Sequence, residues 1–306
     1  MLICDLHCDL PYKVLDYGVN ITENDGQFAE NRLKKEHTYV QVFANFVDQG
    51  VCKTPYAYIK RMVLNFREQL KSTNFVLCEN GKTLADGLKQ NKNCAILSIE
   101  GGEALGGKIE NIAYFYNLGV RFLTLTWNFK NEFGDSCKSG NGPLTEFGKA
   151  AIQEMNRLGM VPDVSHLSEG TFWSLAENTK KPIVATHSNA KALCNHERNL
   201  TDEQFKAICD LKGLVGINYY PAFLTTAEKC DLSDIMRHTE YFLSLGGEDV
   251  LCLGGDLDGV DVLPEGLKGV EDTDVLAEEM LKHNFSESLV KKIMGENARD
   301  FMLREF

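Results

Sequence analysis

Nowhere in these 306 residues do about 18 apolar residues run without interruption, so no membrane-spanning helix is expected. The opening MLICDLHCDLPYKVL has Asp5 near its start, no basic region and no long apolar centre. It does not read as a secretory leader, and the expected location is the cytoplasm. Positive charge is in short supply: 32 Lys and Arg stand against 44 Asp and Glu, a net charge of −12. Like-charge repulsion therefore disfavours nucleic-acid backbones and anionic membrane surfaces as partners. The ten cysteines form no CxxC pair and sit mostly among apolar neighbours. That pattern suits reduced, buried thiols better than a disulfide framework. No GxGxxG turn follows the first apolar run, which leaves dinucleotide binding without support. Short repeats, low-complexity tracts and basic tails are also missing.

The chain does contain the material of a soluble globular protein, 43% hydrophobic and 25% charged residues. Its length allows two domains, but a closed α/β barrel uses about 250 residues or more around one core, and one domain over 1–306 is the expectation. The stretch from Met160 to Arg198 organises the reading. It holds two short apolar runs, MVPDVS and PIVATHS, with helix-like SEGTFWSLAENTK between them. This is a strand, a crossover helix and a second strand, delivering His166 and His187 at the same end of neighbouring parallel strands. One histidine at a strand end is ordinary; two at matching ends point to a site.

Elsewhere the alternation continues. LICDLHCDL breaks into His7-Cys8-Asp9, and because strand side chains alternate faces, residues 7 and 9 point the same way. A polar, Gly-containing stretch then leads to helix-like FAENRLKKEH. Thr38–Val47 reads as a strand, 55–69 as a helix with core-facing spacing, 74–78 as a short extra strand, and 94–100 as a strand ending in Glu100 before two glycines. A carboxylate closing such an apolar run is costly to bury unless cations meet it. Further strands are expected over 121–127, 213–220 and 250–258, the last carrying Asp256 and Asp258 on one face, with helices between them and two more at the C-terminus. Arg198 falls in the loop before a helix opened by a Thr201/Gln204 capping box, where its planar fork can grip a carboxylate. His37, His196, His238 and His283 read as surface or packing residues.

Eight main strands alternating with helices, several ending in His or acidic residues, argue for a (β/α)8 barrel with extra loops and terminal helices. In a barrel, His7, Asp9, Glu100, His166 and His187 converge at the C-terminal mouth. Three imidazoles and two carboxylates suit borderline divalent ions, zinc foremost, with manganese or iron behind. Five ligands exceed what one catalytic zinc uses. Two ions bridged by Glu100, one with His7 and Asp9 and the other with His166 and His187, use all five. Such a pair would lower the pKa of a shared water toward neutrality, and Asp256 can accept its proton and pass it to a departing amine.

Taken together, LHCDLP, LSIEGGEAL, RFLTLTWN, DVSHLS, THSNAKALCNHERNLTDEQ, INYYPAFL and LGGDLDGV make the chain resemble the membrane (renal) dipeptidase family of binuclear zinc peptidases, a branch of the amidohydrolase-like barrels. The resemblance runs through nearly the whole chain. It implies two zinc ions on His7, Asp9, Glu100, His166 and His187, Asp256 as the proton-transferring acid, and Arg198 on the terminal carboxylate of the substrate. It further implies a dipeptide substrate, often with a D-residue on the C-terminal side, and a homodimer. Trp127 stands where mammalian members place a histidine after the fourth strand. It and Tyr220 of INYYPAFL are expected to contact substrate. The rival readings are another binuclear amidohydrolase acting on a lactam, lactone or N-acyl amino acid, and a peptide-binding barrel without catalysis.

Overall fold

Nine parallel strands build the sheet of this computed structural model, which describes residues Met1–Phe306. They are β1 (Leu2–Asp5), β2 (Thr38–Phe46), β3 (Phe75–Leu77), β4 (Asn93–Glu100), β5 (Val120–Thr124), β6 (Val161–Asp163), β7 (Val184–Ala185), β8 (Leu214–Ile217) and β9 (Leu251–Leu253). Eight of them close into a barrel: β2 pairs directly with β4, and β9 returns to β1 through Asp5 and Leu253. The short β3 lies outside the ring. It pairs with Asn93–Ala95 of β4, below the point where β5 takes over at Leu97. The architecture is the expected (β/α)8 barrel, with the connecting helices packed around it.

Why the strands read as near-continuous apolar runs follows from burial on both faces. One buried cluster takes a residue or two from every barrel strand, among them Cys4, Val40, Val42, Cys94, Ile96, Phe122, Val161, Val184, Leu214 and Cys252. This is the barrel interior, and Phe301 and Met302 of the C-terminal helix join it. The alternate residues, such as Ile3, Tyr39, Phe43, Ala95 and Leu97, belong to the larger cluster shared with the surrounding helices. All ten cysteines are free thiols, and six are buried. No helix is long and apolar enough to cross a membrane.

The first helix and the ends of several strands differ from expectation. The first helix does not lie in the 28–37 region but follows β1 at once, over Leu10–Tyr17. Pro11 presets the backbone in its first turn, and Gly18 ends it at φ 66°. Residues 28–37 keep only a single 3-10 turn at Glu30–Arg32 because long-range bonds claim their polar groups. The Phe28 amide donates to Asp258 Oδ2, and Glu30 Oε1 accepts from the Asn74 amide at 2.6 Å. Strands also end earlier than expected, at Asp5, Asp163, Ala185, Ile217 and Leu253, so that His7, Asp9, His166, His187 and Asp256 lie beyond the regular strands, where the chain leaves the barrel.

Candidate metal centre

At the C-terminal ends of these strands the six expected acidic and histidine side chains come together. Glu100, at the tip of β4, lies between two groups. Its Oε2 is 3.4 Å from His7 Nε2, while its Oε1 is 2.9 Å from His166 Nε2 and 3.5 Å from His187 Nε2. His7 Nε2 is in turn 3.6 Å from Asp9 Oδ2, and the Nε2 atoms of His166 and His187 are 3.1 Å apart. Two sets, Glu100/His166/His187 and His7/Asp9/Asp256, each bring ligand atoms within 4.8 Å of one another. Every member is buried.

The backbone bends to make this convergence. His166 adopts φ 71° and Asp256 φ 59°, left-handed conformations that cost non-glycine residues about 1–3 kcal/mol each. Asp258, at φ 65°, is aimed away from the site. Its Oδ1 accepts from Lys13 Nζ at 2.8 Å and from the Gln27 amide at 2.8 Å, tying the loop after β9 to the first helix and its following loop. Asp258 therefore does not share a face with Asp256 as the strand pattern predicts, but acts as a tether.

The charges of the cluster conflict with one another. Burial would lower the His7 pKa, yet Glu100 and Asp9 raise it well above its ordinary value. Burial and the Glu100 charge push Asp9 up to about 7. Burial also acts to raise Glu100, but His7 and His166 outweigh it and hold the group well below its usual value. Burial and the Arg198 charge push His166 down to about 4, and burial, His7 and Arg198 lower His187 well below its ordinary value. Asp256 is raised by burial, with Glu100 adding to the effect. Such crowding of anionic oxygens and imidazole nitrogens is what divalent cations relieve. The fit is supported by two buried atoms, His7 Nε2 and Asp9 Oδ1, that have no hydrogen-bond partner. Both belong to residues that the sequence marked as ligands.

A cavity of about 260 Å³ opens onto the cluster, near the lower end of the range for small-molecule sites. Asp9, Glu100, His166, His187 and Asp256 line its floor. Arg198 lines it as well, only 4% exposed, with its Nε and Nη2 groups unpartnered and its guanidinium 5.4 Å from the Phe223 ring. A buried cation with free donors calls for an anion in the same space. Trp127 and Tyr220 form part of the wall. The indole packs 4.8 Å from Phe46 and 6.4 Å from His166, and the Tyr220 ring lies 4.9 Å from Phe223. His196 stays outside the cluster, its Nδ1 accepting from the Arg198 amide. His238 is a buried packing residue that bonds the Leu224 carbonyl.

Several contributors escaped the sequence reading. Asn218 donates to Asp256 Oδ2 at 2.9 Å, and Asn128 Oδ1 lies 3.2 Å from His166 Nδ1. Both lie just beyond barrel strands, within the segments INYY and LTWN. Gly259 leaves room for two carboxylates: a β-carbon there would overlap Asp9 Oδ2 and Asp256 Oδ1.

Comparison with known proteins agrees with this geometry. The chain is 35% identical over 239 residues to an uncharacterised protein encoded in the region 5′ of pqqA in Klebsiella pneumoniae, covering 74% of this chain and 84% of that one. A solved metallopeptidase described as dipeptidase AC of family M19 superposes with a TM-score of 0.91 at 26% identity, over 100% of this chain and 98% of the other. A metallopeptidase from Rhodobacter sphaeroides, solved with a phosphinate mimic of the dipeptide L-Ala-D-Ala, gives a TM-score of 0.90 at 25% identity, over 100% and 99%. The family model described as membrane dipeptidase, peptidase family M19, matches residues 1–302, and the chain belongs to that family.

Proposed function

We propose that the protein is a metal-dependent dipeptidase, a hydrolase that cleaves the peptide bond of L-L and L-D dipeptides. The observation that carries this reading is Arg198, which is buried, has two guanidinium donors without a partner, and lines the same cavity as the His and carboxylate cluster. A dipeptide presents a free carboxylate to such a fork, placing its peptide bond a short, fixed distance away. A neutral lactone has nothing to offer it. Family membership and the dipeptide mimic held by the Rhodobacter sphaeroides protein support the same substrate class.

In this reading His7, Asp9 and Glu100 hold one divalent cation, and Glu100, His166 and His187 hold a second. Zinc suits the donor set best, with manganese or iron as alternatives. When bound, the cations supply Lewis acidity and a water that ionises near neutral pH. Arg198 binds the substrate carboxylate, while Trp127 and Tyr220 confine the substrate and exclude solvent. Asp256 takes a proton at Oδ1, the oxygen that Asn218 leaves free, and returns it to the amine of the departing residue. Trp127 can donate one indole hydrogen bond to the developing oxyanion but carries no charge, and the positive charge needed there is what bound cations would supply.

We read residues 1–306 as one domain, since the barrel strands and the terminal helix share its core. The ten free thiols support a reducing compartment, the cytoplasm. A homodimer belongs to the same reading, with no interface assigned.

Steady-state assays of the metal-loaded protein on L-L and L-D dipeptides, beside the same dipeptides with amidated C-termini and N-acyl amino acids, test the proposal. Turnover of free dipeptides at least about 100-fold better than of their amides is expected, from loss of a charged hydrogen-bonded pair. Equal turnover of both would overturn it.

A further inference from the structure

A third set of possible ligands, His7, Asp163 and His187, also lies within 4.8 Å. Asp163 differs from the other members, because its oxygens already have their hydrogen-bond donors. The carboxylate at the tip of β6 is fully buried and already accepts four bonds. Its Oδ1 accepts from the amides of Ser165 and Thr186, both at 3.0 Å. Its Oδ2 accepts from the hydroxyls of Thr124 at 2.6 Å and Thr186 at 2.7 Å. A carboxylate has about four acceptor sites, so none is left for a cation.

The Thr186 hydroxyl that bonds Asp163 also stands 2.8 Å from His187 Nδ1 and 3.3 Å from His7 Nδ1, both nearer than its remaining polar neighbour, the Ser165 hydroxyl at 3.5 Å. A hydroxyl has one hydrogen and two lone pairs. With the hydrogen committed to Asp163, both lone pairs can only accept, and each imidazole must donate from Nδ1. A neutral imidazole that carries its hydrogen on Nδ1 has its lone pair on Nε2. Those Nε2 atoms are the ones that face Glu100.

We infer that Thr186, polarised by Asp163, is the positioning residue that fixes the tautomer of both His7 and His187 and thereby couples the two cation positions. One hydroxyl serves a histidine from each ligand group, so removing it disturbs both. The inference rests on the reading of His7 and His187 as ligands of two different cations. It goes further in naming what sets their ligating form, a place that a carboxylate or carbonyl often fills directly.

Metal binding tests it without reference to turnover. Stepwise dissociation constants for zinc, measured by competition with a chromophoric chelator, would be compared among the wild type, Thr186→Val, Thr186→Ser and Asp163→Asn, with thermal unfolding of each metal-free protein as the check on folding. Thr186→Val keeps the shape and loses the hydroxyl, and weakening of both binding steps by about 10–100-fold is expected. Thr186→Ser keeps the hydroxyl and should stay within about threefold of wild type. Asp163→Asn turns an acceptor into a donor, which reverses the hydroxyl and forces one imidazole to place its hydrogen on Nε2. At least one step should weaken by about tenfold. This variant decides the matter if Thr186→Val does not fold. Unchanged affinities in both Thr186→Val and Asp163→Asn would overturn the relay, and so would a serine variant as weak as the valine one. Weakening of a single step in Thr186→Val would overturn the coupling. A wild-type protein that binds no metal would overturn the dipeptidase reading itself, an outcome distinct from these.

Discussion

Asn218 holds Asp256 by one bond, 2.9 Å from Nδ2 to Oδ2, and Asp256 lines the cavity, where its Oδ1 has no hydrogen-bond donor. A carboxyl group fixed by one oxygen keeps the other for a proton in transit. Asp256→Asn preserves the shape and removes that capacity. The expected result is a fall in kcat of about 10²–10⁴-fold, with metal content unchanged as measured by elemental analysis. Full activity in this variant would mean that the proton travels by another group.

Arg198 is buried with two unpartnered donors, so its worth should appear in substrate discrimination rather than in stability. Arg198→Met should lower kcat/KM for free dipeptides by about 30-fold or more, the equivalent of losing a buried charged pair worth about 2–5 kcal/mol. The same variant should treat amidated dipeptides much as the wild type does, closing the gap between the two substrates. If Arg198→Met still preferred the free carboxylate by the wild-type margin, the substrate would be held elsewhere.

Gly259 sits where any β-carbon would overlap Asp9 Oδ2 and Asp256 Oδ1. Its backbone is not in the left-handed region, so alanine there should strain the two carboxylates rather than the chain. Gly259→Ala is expected to fold, to bind metal less well on the His7/Asp9 side, and to fall in activity by about 100-fold or more, as misplacement of reacting groups by about 1 Å does. Metal stoichiometry and far-ultraviolet circular dichroism, measured together, separate this from unfolding.

How far the sequence discloses such a site depends on the range of the signal. His7 and Asp9 are legible because strand side chains alternate, and Glu100 because an apolar run that ends in a carboxylate needs a reason. His166 and His187 are legible by their matching places after β6 and β7. The barrel follows from the repeating order of strands and helices. What the sequence hides is what separation in the chain hides. Asp258 ties to Lys13 across 245 residues and to the Gln27 amide across 231, and no periodicity announces either bond. Thr186 lies beside a predicted ligand, yet its meeting with His7 exists only after the barrel has closed. The Leu10–Tyr17 helix, by contrast, carries a local signal, a proline in the first turn and Gly18 at the end.

Glu103 supplies a test of electrostatics beside the site. Its carboxylate is buried, with Oε2 accepting from Asn131 Nδ2 at 2.8 Å and Oε1 unpartnered. Burial pushes its pKa up from the usual 4.5 to about 7, against the Asn131 bond. A carboxyl whose folded pKa exceeds its unfolded value binds more protons folded than unfolded between the two. Stability therefore falls as pH rises from about 4.5 to about 7 and levels off above. The full effect is on the order of 3 kcal/mol at most. Glu103→Gln removes the ionisation and keeps an acceptor for Asn131. With metal saturating in both proteins, the variant should melt with the wild type near pH 4.5, and above it by about 3–6 °C near pH 8.5. A difference of the same size at both pH values would place the effect in packing and rule out the charge as its cause.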